Sequence, residues 1–219
     1  MYFEKIHNKG QARIFQNHYL EYLTKTHPLV IWALYTPVFI LLPYYAHERL
    51  HFSGLKITLI IFSGILFWTL FEYLMHRFVF HFISESERIN RLIYVLHGNH
   101  HEYARDKERL FMPPVPSLII SSSIFILMNL VLGDLAFCFF PGFIFGYLVY
   151  GSMHYAIHAW NPPFRWMKGL WRNHHLHHYK QLERGFGVSS TIWDHVFGTC
   201  FDPEKDKENS EKAKEFMFR

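Results

Sequence analysis

The chain has 219 residues, of which half are hydrophobic and 19% aromatic, with 23 Phe and 13 Tyr. So much aromatic area is rare in a soluble domain, because such rings stabilise only when buried, and a mean hydropathy near zero requires the apolar residues to be segregated into blocks. The net charge of +4 comes without basic runs carrying exposed aromatic platforms, which argues against nucleic-acid binding, and the two cysteines, Cys138 and Cys200, suit neither a disulfide framework nor a thiolate metal site.

In chain order, residues 1–25 mix Lys, Glu, His and Asn without an apolar core and are no signal peptide. Four apolar blocks follow, at about 28–46, 55–75, 115–132 and 135–152. Each is near the ~20 residues that cross the hydrocarbon of a bilayer as a helix. Only Gly133 and Asp134 separate the last two, which predicts a tight helical hairpin. A large soluble bundle would show a polar stripe on such helices. With four spans, segments 1–27, 76–114 and 153–219 share one side of the membrane. Of the 22 Lys and Arg, only Arg49 and Lys56 fall on the other side, leaving 20 on the first. The positive-inside rule then puts the first side, with both termini, in the cytoplasm. The expected fold is an all-α integral membrane domain over 1–219. It has four transmembrane helices, a cytosolic helical cap from 76–114 and 153–201, and a charged tail at 202–219.

Histidine is the outlier, with 17 copies. Ten fall into four boxes: His76 and His81; His97, His100 and His101; His154 and His158; His174, His177 and His178. Residues three and four apart share a helix face. The second box can therefore aim at one point, and so can the fourth, while His154 and His158 form an i, i+4 pair. His76 and His81 lie five apart, about 140° around an ideal helix. That spacing calls for a bulge, a helix end or ligation of two different metals. Two boxes end spans and two lie in the polar segments that follow, so the topology brings all four to one membrane face. Imidazoles suit iron, zinc and copper, and ten exceed what one ion takes, so a dinuclear metal site is expected. Candidate acceptors for ligand N–H groups are Glu72, one turn before His76, with Glu102, Asp106 and Asp194. His195 is a further candidate for that supporting layer. The other histidines, His7, His18, His27, His47, His51 and His175, are expected at the surface or an interface. Trp160, Phe164, Trp166, Trp171 and Tyr179 form an aromatic belt or line a substrate entry, the belt being favoured.

The order HX4H, HX2HH, HX3H, HX2HH resembles the fatty acid hydroxylase superfamily of membrane di-iron enzymes. It is most similar to the fatty acid 2-hydroxylases of sphingolipid acyl chains. The likeness extends to Asn8-Lys9-Gly10-Gln11-Ala12-Arg13, to Leu96 through His101 with Asp106 and Arg109 to Pro114, and to Gly185 through Ser190 with Trp193-Asp194 and Phe197-Gly198-Thr199. Ala104 stands where that family suggests proline and Gly151 where it suggests aspartate, which bears on substrate preference. The resemblance implies O2-dependent 2-hydroxylation of a long acyl chain at two iron ions held by the ten histidines, zinc being an ion the same imidazoles accept. No HPGG haem motif is present, so electrons are expected from a separate donor such as cytochrome b5 or a ferredoxin with its reductase. The implied location is the endoplasmic reticulum of a eukaryote or the inner membrane of a bacterium. A sterol C4-methyl oxidase, sterol desaturase or carotenoid hydroxylase fits the box spacing and the 185–199 segment less well. A metal transporter would place its ligands inside the spans, and a haem-binding subunit would need a few histidines facing across helices rather than paired clusters.

Overall fold

The structure, a computed structural model, describes residues 6–201; the charged tail expected at 202–219 lies outside the described residues. Among the described residues all regular elements are helical. A short α1 (His18–Tyr22) leads into α2 (Pro28–Glu48), where Pro28 takes a first-turn position that lacks a hydrogen-bond partner anyway and the His27 ring accepts from Leu29 N. Ser53 caps α3 (Gly54–Leu74) by accepting from Lys56 N. A π-helical turn, Met75–Phe80, extends α3 without a break. Then come α4 (Glu87–Ile93), a second π turn at Tyr94–Gly98, and α5 (Asn99–Glu102). The long helices α6 (Pro114–Leu132) and α7 (Ala136–Ala159) follow, and then α8 (Lys168–Tyr179) and α9 (Ile192–Val196).

Among the described residues, three stretches are long and apolar enough to cross a membrane: Pro28–Glu48, Gly54–Phe80 and Lys107–Ala159. The third holds two helices, because Gly133, at φ 56°, leaves the right-handed helical region and lets the chain reverse between α6 and α7. Prolines 37, 43 and 141 sit inside α2 and α7, where packed neighbouring helices make them tolerable. Large apolar side chains point outward, among them Leu55, Leu59 and Phe62 on α3 and Ile119, Ile126 and Leu130 on α6. A surface of that kind belongs to an integral membrane protein.

Contacts fix the directions. Trp32 meets Ser152, Phe39 meets Phe145 and Tyr45 meets Phe137, so α2 runs antiparallel to α7. Phe125 packs on Phe137 and Phe140, and Phe111, just before α6, packs on Tyr147, so α6 is also antiparallel to α7. Helices α3 and α7 run parallel, since Ile61 meets Gly142 and Trp68 meets Gly146 further along both. Their approach is backbone to backbone. A Cβ on Gly142 would lie 2.0 Å from Ile61 O, and one on Gly64 2.2 Å from Phe139 O. Small residues permit such contact where lipid supplies no hydrophobic drive. The hydrophobic core of Tyr35, Trp68, Phe140, Phe143, Ile144 and Leu148 packs around this pair. Because α3 and α7 are parallel, their C-terminal ends lie side by side, and those ends carry His76, His81, His154 and His158.

Gly142→Val should destabilise the detergent-solubilised protein by about 1–3 kcal/mol through overpacking, read as a lower Tm. Gly169→Ala, where a Cβ meets nothing within 4 Å among the described residues, should leave Tm unchanged or slightly raised. An unchanged Tm for Gly142→Val would contradict the close contact of α3 with α7.

Candidate metal centre

The fold gathers the ten box histidines into two groups of five. His76, His81, His97, His101 and His177 form one; His100, His154, His158, His174 and His178 form the other. Within each group one nitrogen per ring lies within 4.8 Å of all the others. In the first, His97 Nε2 is 3.1 Å from His76 Nε2 and 2.9 Å from His101 Nε2, and His177 Nε2 is 3.0 Å from His81 Nε2. In the second, His174 Nε2 is 2.9 Å from His158 Nε2 and 3.1 Å from His178 Nε2. The groups touch where the rings of His101 and His178 stack at 4.1 Å.

This arrangement corrects the expectation that each HxxHH box aims at one point. In both, the i, i+4 pair stays together while the middle histidine crosses to the other group. Neighbouring positions such as His100 and His101, or His177 and His178, diverge by about 100° on a helix. A helix lying between two sites therefore faces one with the pair and the other with the third ring. The first group takes both histidines of box one, the pair of box two and one ring of box four. The second takes both of box three, the pair of box four and one ring of box two. The His76–His81 spacing resolves as a π turn: the i→i+5 closure brings residues five apart onto one face.

Burial determines the protonation state. Desolvation holds His97, His100, His101, His174, His177 and His178 well below the ordinary imidazole value, and pushes His81 down to about 3, with neighbouring rings adding to it. These rings are neutral at pH 7, with a lone pair free for a cation. Among the described residues, both ring nitrogens of His100 and of His154 are buried without a hydrogen-bond partner, and buried polar groups rarely go unsatisfied. Inward-facing neutral imidazole nitrogens in two sets of five fit two metal ions.

The supporting layer differs in part from the expectation. Glu72 and Asp194 act on a loop rather than on a ring. Asp194 accepts from Phe186 N at 2.9 Å, Gly187 N at 2.8 Å and Thr199 Oγ1. Glu72 accepts from Val188 N, Ser189 N and Ser189 Oγ. The loop in turn presents backbone carbonyls: His76 Nδ1–H donates to Phe186 O at 2.6 Å, and His177 Nδ1–H to Arg184 O at 2.7 Å. A carbonyl leaves no side-chain signature, so sequence reasoning missed Phe186 and Arg184; the signal was the glycines around them. Gly185 sits at φ 71°, and a Cβ on Gly187 would come within 2.0 Å of Ser190 O. Asp106 and Glu102 serve elsewhere: Asp106 holds Arg109 and Gln11, and Glu102 accepts from Tyr94 OH. His195 is exposed and bonds its own helix at Thr191 O. His175, expected at the surface or an interface, is buried, and its Nδ1–H bonds Trp171 O one turn back at 2.7 Å. Of the five aromatics, Trp171 is core at 1% exposure, while Trp160, Phe164 and Trp166 are exposed as a belt requires.

A cavity of about 180 Å³ lies between α2, α3, α6 and α7. Tyr35, Trp68, Phe143, Ile144 and Ile124 line it, and Phe80, Glu72 and Tyr150 close one end. That end abuts the histidines, since Phe80 stacks on His97 and Tyr150 on His154.

Comparison with known proteins agrees with this geometry. The family model for fatty acid hydroxylase matches residues 61–199. The chain is 36% identical over 189 residues to the dihydroceramide fatty acyl 2-hydroxylase FAH2 of Arabidopsis thaliana, covering 85% of this chain and 79% of that one. It is 37% identical to the ceramide very long chain fatty acid hydroxylase SCS7 of Saccharomyces cerevisiae, covering 93% of this chain and about half, 54%, of that protein. Among solved structures, full-length scs7p, of which only the hydroxylase domain is visible, matches with a TM-score of 0.82 at 37% identity, over 90% of this chain and 74% of that one.

Elemental analysis of purified protein should find about two metal ions per chain, one for each histidine group, and stripping them with a chelator should lower Tm. Protein that is folded and metal-free under saturating metal would contradict the assignment.

Proposed function

The chain belongs to the fatty acid hydroxylase family, and from that premise we propose that it 2-hydroxylates long fatty acyl chains of sphingolipids, using O2 at a di-iron centre. The observation that carries the reading is the placement of two five-histidine groups at the end of an apolar cavity between the long helices. The names of the relatives supply the acyl 2-hydroxylase and ceramide chemistry. The ten box histidines are the proposed ligands. Four spans with the histidine end facing the cytosol is the proposed topology, supported by antiparallel α2/α7 and α6/α7 pairs and by the Lys and Arg bias.

When bound, the two ions supply the reductive activation of O2, with two electrons from a separate carrier protein. The protein's own part is to hold and shield. Neutral imidazoles fix the ions without adding charge. The acyl chain enters from the bilayer into the cavity, and its first carbons stop at the wall formed by Phe80 and Tyr150. Those rings, with Trp68 and Phe143, exclude water from the reacting carbon. Tyr35 does not offer its hydroxyl to the substrate, because Ser117 and Ser121 on α6 engage it at 2.7 and 2.9 Å. Orientation by an apolar slot is what the walls of this cavity contribute.

Expression in a host lacking 2-hydroxy lipids should yield 2-hydroxyacyl sphingolipids by mass spectrometry. His100→Ala or His177→Ala should abolish them, and product persisting at wild-type level would overturn the ligand assignment. Ile124→Trp, which fills the cavity, should cut product severalfold with metal content unchanged; full activity would rule the cavity out as the acyl site.

A further inference from the structure

The two histidine groups have unequal support. In the first, two of the five rings, His76 and His177, donate to Phe186 O and Arg184 O. The loop carrying those carbonyls is itself bound along its length. Asp194 takes the N–H groups of Phe186 and Gly187, and Glu72 those of Val188 and Ser189. Gly185 N donates to Thr199 O at 2.9 Å, and Arg184 Nη1 to Cys200 O at 2.8 Å. In the second group, the Nδ1 atoms of His100, His154, His174 and His178 are buried and have no hydrogen-bond partner among the described residues.

A carbonyl on Nδ1–H fixes the tautomer, aims the Nε2 lone pair and raises its basicity. Rings without that partner rely on packing alone for orientation. We propose that the two metal positions are inequivalent: the His76/His81/His97/His101/His177 position retains its ion, and the His100/His154/His158/His174/His178 position exchanges it. Asp194 and Glu72 are positioning residues for the retaining position only, acting through the 184–190 loop. The inference rests on the dimetal reading above and adds an order of loading and loss to it.

The test uses full-length, detergent-solubilised protein saturated with Zn²⁺ and followed by elemental analysis in excess EDTA. Two ions should leave in two phases of one ion each, separated by roughly 10-fold or more, the scale set by supporting partners of metal ligands. His158→Ala should remove the fast phase and keep the slow one; His81→Ala should do the reverse. Asp194→Asn should accelerate the slow phase roughly 10-fold and leave the fast phase alone. Ser189→Ala, which removes one bond to Glu72, should shift the slow phase in the same direction by less. General loosening of the fold would accelerate both phases. If Asp194→Asn does not fold, the wild-type decay and Ser189→Ala carry the test. Two ions leaving the wild-type protein at one rate, or the fast phase accelerating along with the slow one in Asp194→Asn or Ser189→Ala, would overturn the proposal. Fewer than two ions at saturation would instead remove the dimetal reading beneath it.

Discussion

Ten converging imidazoles, eight of them buried, need partners for their nitrogens, and the rest of the molecule is arranged around that need. A buried polar group without a partner costs about 1–3 kcal/mol, so a cluster of this size is tolerable only where the rings converge on something that binds them. Convergence depends on α3 and α7. These two helices run parallel and touch through Gly64 and Gly142, which brings box one and box three alongside each other at one end. The polar segments around Asn99–Glu102 and Lys168–Tyr179 then close over those ends. Each of them serves both histidine groups, so the two groups cannot be assembled independently.

The same end of the bundle carries the other functional features. The apolar cavity stops there against Phe80 and Tyr150, which are also in contact with His97 and His154. The loop after α8 returns there and is clamped by two buried carboxylates, Glu72 from α3 and Asp194 from α9. Burying carboxylates is costly unless they are fully hydrogen-bonded, and each accepts three bonds from backbone and hydroxyl groups. A short loop with this many anchors behaves as a rigid element, suited to holding metal ligands within tight tolerance.

Much of the fold was legible beforehand. Apolar blocks at 28–46, 55–75, 115–132 and 135–152 correspond to α2, α3, α6 and α7, because unbroken hydrophobic runs near ~20 residues have few structural alternatives. The hairpin at Gly133 was legible because glycine and aspartate interrupt an otherwise apolar run. Helix ends were less so: α7 continues to Ala159 and α3 runs into a π turn to Phe80, past the point where hydropathy falls. Once packing against other helices takes over, hydropathy no longer marks the boundary. The burial of His175 and Trp171 was unreadable for a related reason, since α8 is polar by composition yet enclosed on most sides.

The sequence by itself determined which histidines gather and that they meet at one end of the long helices, because box spacing and the lengths of apolar runs are local properties of a helix. Only the tertiary structure decided how ten histidines divide into two fives, why His76 and His81 can share a site, and which group the 184–190 loop supports. Those outcomes depend on where one helix lies relative to another and on backbone carbonyls, and neither is written in side-chain identity.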